Sequence, residues 1–412
     1  MKHSSRFRIS DKKILIGMGI IFGIILITVF FNINRLSRLY FVITLFEPDR
    51  IVENFRSMGE RMNSREVKAG DKTFIFQRRP RALPESYVFN GQKKSVRKFM
   101  EHTGTTGMIV IRDNTILFEE YYQGNTDKSK AISWSVAKSF ISALMGIAVA
   151  EGHIKDIMDP VTKYVPFLKG SGYEGVPIKH VLQMSSGIRF NEDYAAFNSD
   201  INRMGRYFAL GLPLDKFVAS LKPEKTPGTF NQYVSMDTQV LGMVLQEATG
   251  KTVSQYTEEK LWQPLGMEAS ALWLVDSKGM EAVFGGLNAV LRDYARFGRL
   301  YLNNGAWNGR QIVPAAWVKA SVTPDAPHLF PGKRDNASWV LGYGYQWWIP
   351  EKPDGDYLAI GIYGQAIYIY PRYNIVIAKT SAYENYNKDG DEMEIEAIEM
   401  FRAIARGMGR HN

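Results

Sequence analysis

Gly107 to Tyr122 reads GMIVIRDNTILFEEYY, and a short way on Ser133 to Phe140 reads SWSVAKSF. The first stretch is two β-rich runs split by the turn-forming pair Asp113-Asn114, which predicts a hairpin. The second opens a series of good helix formers that meets no breaker until Gly152, which predicts a buried helix starting close to Ser135.

Downstream, residues 156 to about 282 show helical periodicity interrupted by Pro and Gly turns, with Thr238–Thr249 and Val253–Leu261 as the clearest helices. Sheet character returns at Tyr357–Ile362, Ala366–Tyr370 and Ile375–Thr380, the last two joined through Pro371-Arg372-Tyr373-Asn374. Glu392–Ala405 sets Met393, Ile395, Ile398, Met400 and Phe401 among acidic residues, the pattern of an amphipathic closing helix. Sheet, helices, sheet, helix predicts an α+β fold: an antiparallel sheet built from both ends of residues 86–410, flanked by helices, with a helical insertion at about 156–282. No internal repeat is visible.

Upstream, Ile14 to Phe31 holds no charge over eighteen residues, about 27 Å of helix and nearly the thickness of a hydrocarbon core. Lys2, Arg6, Arg8, Lys12 and Lys13 precede it and Arg35 and Arg38 follow shortly after, a positive-inside bias that predicts a cytoplasmic N-terminus and the bulk of the chain outside, periplasmic or extracellular. A cleaved signal peptide shares the charged start and apolar middle. The length of the apolar run and the absence of a small-x-small site in Asn32-Ile33-Asn34-Arg35 favour an uncleaved single-pass anchor. The division expected is a basic tail at 1–13, an anchor at 14–31 and a stalk and lead-in at 32–85, before the folded domain.

The chain has 412 residues and a net charge of +9, but the charge is uneven. The first hundred residues carry twenty basic and eight acidic side chains, the remainder 31 and 34. Without aromatic-basic interleaving or zinc spacing, this does not indicate a nucleic-acid partner. The absence of cysteine excludes disulfides and thiolate metal sites, and the six histidines form no HExxH pair, so no metal and no cofactor is expected.

In a helix, residues three apart share a face, so Lys138 reaches the Ser135 hydroxyl and can deprotonate it. A serine in the first turn also meets free backbone N–H groups and the positive end of the helix dipole, which suit an oxyanion. Spacing alone leaves open an N-cap serine beside a solvated lysine. Ser10 and Lys13 repeat the spacing next to the anchor with no chemistry attached.

Further passages narrow the choice. Tyr233-Val234-Ser235 follows the turn Pro227-Gly228 and precedes the helix DTQVLGMVLQEATG; HVLQMSSGIRFNEDY spans 180–194, GGLNAVLRDYARFGRLYLNNGAWNG spans 285–309 and GIYGQAIYIYP spans 361–371. With the Ser135–Lys138 pair, these resemble the class C β-lactamase-like serine hydrolases over roughly 83–407. That family also holds esterases, D-amino-acid peptidases and 6-aminohexanoate-dimer hydrolases.

The resemblance implies that Ser135 is the nucleophile and that Tyr233 is a phenolic general base or acid with its pKa lowered by the Lys138 cation. It also implies that Ser235 bonds Lys138 or substrate. The family's Lys-Thr-Gly strand corresponds to Ala359-Ile360-Gly361, where the cation is missing. Gly361 would let substrate approach the strand, and the N–H of Ile362 would join that of Ser135 as an oxyanion hole, unless Gly361 is merely a bulge. The missing cation and the Gly364-Gln365 pair resemble the 6-aminohexanoate-dimer hydrolase and carboxylesterase branch, which implies a substrate-holding role for Tyr194. The function expected is a membrane-anchored hydrolase of a small ester, amide or short peptide. The alternatives are a peptidoglycan-directed D,D-peptidase or weak β-lactamase, and a non-catalytic binding or sensor module of the same fold.

Overall fold

The computed structural model describes residues 7–409, so part of the expected basic tail, with Lys2 and Arg6, lies outside the described residues. The hairpin forms as expected: Thr105–Arg112 pairs antiparallel with Thr115–Tyr121, and Asp113 takes the left-handed conformation (φ 53°) that the tight turn requires. These strands join Tyr357–Gly361, Gln365–Tyr370 and Ile375–Ser381 in an eight-stranded sheet that brings both ends of the domain together. The sheet is antiparallel except at one edge, where Gln77–Arg78 runs parallel to Thr115–Ile116.

Both faces of this sheet are covered. Successive side chains on a strand point to opposite faces, and the residues obey that rule. Ile109, Ile111, Ile367, Val376 and Ala378 face one core, whereas Met108, Val110, Tyr368, Ile375 and Ile377 face the other. The first core contains the helix Ala137–Ala150, whose residues from Ala137 to Ala148 are all buried. The second is closed by the helix Tyr386–Gly409, which applies Met393, Ile398, Met400, Phe401 and Ile404 to the sheet. It is longer at both ends than the amphipathic pattern indicates.

The region 156–282 is mostly helical, with Asp200–Ala209, Leu214–Ser220 and Ser235–Thr249 as its longer elements. A second, four-stranded sheet crosses its boundary: Ser64–Val67, Ala271–Leu274, Leu287–Val290 and Lys130–Ile132, in that spatial order. Each strand has three or four residues, too few for a period to stand out.

The helix Phe7–Ile43 runs on well past the apolar segment, and its stretch Lys13–Ile43 is long and apolar enough to cross a membrane. Residues 32–85 differ from the expected stalk. Phe41 and Leu45 are buried at the end of the long helix, and Asn54 donates hydrogen bonds to the carbonyls of Thr44 (3.1 Å) and Leu45 (3.2 Å). These bonds fasten that end to the amphipathic helix Ile51–Arg61, which packs on Lys130–Ile132. Phe46 stacks on Tyr363 at 4.6 Å, and Phe55 meets Trp134 and Tyr363 edge-on, each at 5.4 Å. The mixed composition of 32–85 conceals these contacts because their partners are distant in sequence. Phe55→Ala is therefore expected to cost about 3–5 kcal/mol of unfolding free energy in urea titrations, as for a core aromatic, whereas a stalk residue would cost nothing measurable.

Candidate active site

Ser135 lies in a single 3-10 turn, Trp134–Val136, that leads into the helix Ala137–Ala150. Trp134 has a φ of 45°, a left-handed conformation that a bulky side chain rarely adopts and that costs on the order of 1–3 kcal/mol. Packing by Phe46 and Phe55 on the Trp134 ring holds the turn in place. The lead-in is thus the brace behind the nucleophile's turn.

The Lys138 amine is buried (2% exposed) and has three partners: Ser135 Oγ at 2.8 Å, the Phe284 carbonyl at 2.6 Å and Ser235 Oγ at 3.3 Å. Burial pulls its pKa down to about 7, with Glu192 opposing part of the shift. As an ammonium, Lys138 donates to all three neighbours. As a neutral amine it keeps two donors for Phe284 and Ser235 and turns its lone pair to the Ser135 proton.

Ser235 begins the helix Ser235–Thr249 and is fixed by Glu192, which accepts from its hydroxyl (2.5 Å) and from its backbone N–H (3.0 Å). Tyr194 donates to the same carboxylate at 2.7 Å. Glu192 is the residue that sequence reasoning missed. The signal available was its place two residues before Tyr194 in Asn191-Glu192-Asp193-Tyr194, after the Ser185-Ser186-Gly187 turn. Gly187 shapes that turn: its φ is 76°, and a Cβ there would lie 2.1 Å from the Lys225 carbonyl oxygen. The Phe284 carbonyl was also missed, since a backbone acceptor leaves no trace in residue type.

Tyr233 stacks on Trp348 at 5.4 Å, and its side chain engages that of Ser135. Lys138 Nζ lies 4.9 Å from the centre of its ring. The expectation of a lowered phenol pKa is corrected here. Burial, the neighbouring Tyr343 and the Glu192 carboxylate push it well above the ordinary value. The amine sits over the face of the ring, and burial favours its uncharged form, so it does not stabilise a phenolate. Tyr233 is a proton-bearing phenol at neutral pH.

The end of the strand Tyr357–Gly361 lies against the nucleophile's turn. A Cβ on Gly361 would stand 2.5 Å from the Ser133 carbonyl oxygen and 3.2 Å from Ser135 N, so only glycine fits this approach. The following turn places Tyr363 at φ 62° and is tied down by Gln365, which donates to the carbonyls of Ser381 (2.7 Å) and Ile362 (3.2 Å). Ala359 is buried, and the strand offers no cation. Lys379, two strands away, is buried beneath the turn against Gly364 O and Ser381 Oγ.

Ser135, Lys138, Tyr233, Ser235, Tyr194, Gly361 and Ile362 are therefore brought into one place. Two cavities meet there. One, of about 600 Å³, is lined by Ser135, Tyr233, Tyr194 and Ile362 together with Asp193, Asp389, Asp391 and Glu392. The other, of about 360 Å³, shares Ser135, Tyr194 and Ile362 but is otherwise mainly apolar. Among the described residues no group of three or more His, Asp or Glu side chains is placed to hold a metal ion.

A serine hydrogen-bonded to a buried lysine, at the entry to a helix packed under a mainly antiparallel sheet, is the arrangement of a serine hydrolase of the penicillin-recognising type. The family described as beta-lactamase matches residues 93–399, and the chain belongs to that family. The 6-aminohexanoate-dimer hydrolase of Paenarthrobacter ureafaciens is 32% identical over 292 residues, covering 69% of this chain and 74% of that protein. The teichoic acid D-alanine hydrolase of Staphylococcus aureus (strain MRSA252) is 23% identical over 328 residues, covering 73% and 76%. A solved structure from Bacillus anthracis, provisionally named a 6-aminohexanoate-dimer hydrolase, superposes with a TM-score of 0.77 at 23% identity. It covers 88% of this chain and 96% of its own, and supports the fold.

Burying an amine with a pKa of about 7 has a consequence for stability. Between about pH 7 and about pH 10.4, the ordinary lysine value, the unfolded chain binds a proton that the folded chain does not, so folding stability contributed by this site rises with pH across that window. Lys138→Met removes the term. Urea unfolding at a series of pH values is expected to show the variant more stable than wild type near neutrality. That advantage should shrink by about 1.4 kcal/mol per pH unit as the pH rises through the window.

Proposed function

We propose that the chain hydrolyses an ester or amide through an acyl-enzyme on Ser135. The observation that carries this reading is the buried Lys138 amine, 2.8 Å from Ser135 Oγ with a pKa of about 7. Neutral Lys138 takes the Ser135 proton as Oγ bonds to the substrate carbonyl carbon. The N–H groups of Ser135 and Ile362 hold the oxyanion, which is typically worth a few kcal/mol to the transition state. As the carbon–oxygen or carbon–nitrogen bond breaks, Tyr233 donates its proton to the leaving group and recovers one from Lys138. Water then attacks the acyl carbon and gives its proton to the Tyr233–Lys138 pair; the bond from the carbon to Ser135 Oγ breaks, Oγ takes that proton back, and the carboxylic acid leaves. Glu192 positions Ser235 and Tyr194; Gly361 lets its strand close on the turn that holds Ser135.

The leaving group faces the larger cavity, because Tyr233 lines that cavity and not the smaller one. Its lining carries Asp193, Asp389, Asp391 and Glu392 against one cation, Lys388, a balance that favours a polar leaving group bearing positive charge. The buried Ala359, where a lysine would serve a β-lactam carboxylate, speaks against antibiotic turnover. The lysines and arginines before Ile14 and the exposed apolar surface from Ile14 to Phe31 support a single-pass anchor with a cytoplasmic N-terminus and an external hydrolase. The helix continues unbroken from that segment into the hydrolase core, which favours retention over cleavage.

A panel of p-nitrophenyl esters, linear amide dimers, D-alanyl peptides and nitrocefin tests the reading. Ester or amide turnover is expected, with Ser135→Ala abolishing both turnover and labelling by a fluorophosphonate probe. Selective turnover of nitrocefin would overturn the ester and amide assignment, and no labelling of folded protein would overturn catalysis altogether. Tyr233→Phe is expected to lower kcat by about 10²–10⁴-fold with a smaller change in KM, the loss of a proton relay rather than of a binding contact.

A further inference from the structure

We infer that the smaller cavity receives a single long acyl chain drawn from the bilayer, so that the substrate is an amphipathic acyl ester or amide with its carbonyl at Ser135 and its chain pointing back to the anchor. This rests on the acyl-enzyme reading above. If Tyr233 delivers its proton on the side of the acidic cavity, the acyl group must occupy the other side, and there Phe46, Met204, Phe284 and Ile362 offer a mainly apolar lining. At the roughly 30 Å³ that a water molecule takes up in the liquid, taken for one chain carbon, the cavity of about 360 Å³ holds a chain on the order of ten carbons.

The wall of this cavity is the end of the membrane helix. Val42, Ile43, Leu45 and Phe46 all line it. Its rim carries two large exposed apolar side chains, Ile43 (65% exposed) and Phe197 (71%), the latter under the Arg206 guanidinium at 4.0 Å from its ring centre. Beyond the uncharged segment, Ile33, Leu36, Tyr40 and Ile43 remain exposed at helical spacing, a continuous apolar stripe on the same helix. Leu210 and Leu212 are also exposed, beside Gly211, against which Arg38 of the membrane helix lies.

Ile14 to Phe31 takes up about 27 Å of helix, nearly the hydrocarbon core, and Ile43 stands about 18 Å further along. The exposed stripe from Ile33 to Ile43 covers that distance, so an acyl chain of the outer leaflet reaches the rim at Ile43 and Phe197 along apolar surface.

Gly205 provides the test. It lines the cavity within the helix Asp200–Ala209, and a Cβ placed there meets nothing within 4 Å, so a side chain can start from this position without a clash at its first carbon. The full chain, in nanodiscs of phosphatidylethanolamine and phosphatidylglycerol, would be assayed on p-nitrophenyl decanoate and acetate. Wild type is expected to prefer decanoate in kcat/KM by more than about tenfold, and Gly205→Leu to lower that ratio by about tenfold or more. Acetate turnover with no decanoate preference, or a ratio unmoved by Gly205→Leu, would overturn the acyl-chain site while leaving the hydrolase intact. Turnover of neither ester would instead count against the acyl-enzyme reading.

A second measurement needs no variant. A decyl fluorophosphonate with a diazirine at the chain end, bonded to Ser135, is expected to crosslink within residues 36–50 and 197–210. Crosslinks confined to residues 386–394, in the acidic cavity, would overturn the proposal.

Discussion

The structure depends on taking one amine out of water. A lysine in solution is protonated near pH 7 and cannot act as a base; enclosed by Ser135, Ser235 and the Phe284 carbonyl, Lys138 titrates at about 7 and is partly neutral there. That enclosure requires the helix Ala137–Ala150 to be buried along its length and the helix Ser235–Thr249 to pack beside it. It also requires Glu192, which fixes Ser235 and supplies the one nearby negative charge that opposes the amine's deprotonation. Tyr233, held neutral by its own burial, stands beside an amine that is partly neutral near pH 7.

The second constraint is mechanical. The strained Trp134 turn is packed by Phe46 and Phe55, both of which also meet Tyr363 and belong to the segment between the long N-terminal helix and the domain. The same segment walls the apolar cavity at Ser135. The end of the long N-terminal helix, the Ser135 turn and the smaller cavity form one continuous packing unit.

Much of this was legible from residue pattern. The hairpin about Asp113-Asn114, the three late strands and the helices after Ser135 and Ser235 follow from period and turn chemistry, which act locally. Ser135, Lys138, Tyr233, Ser235, Tyr194, Gly361 and Ile362 were named through motif resemblance, and the fold brings them together. What stayed hidden is non-local or chemically silent. Glu192 acts through partners more than forty residues away, the Phe284 carbonyl belongs to the backbone, and the four-stranded sheet is assembled from strands too short to show alternation. The Tyr233 pKa was misread because a nearby cation was assumed where burial favours a neutral amine.

The pH dependence of the rate at which a small fluorophosphonate bonds to Ser135 addresses the central claim most directly, because it reports activation of the nucleophile without a chosen substrate. If Lys138 is the base, the rate rises about tenfold per pH unit below neutrality and levels off just above its pKa of about 7. A rate that stays flat between about pH 5 and about pH 9, or that keeps climbing toward the ordinary lysine value of about 10.4, would contradict it.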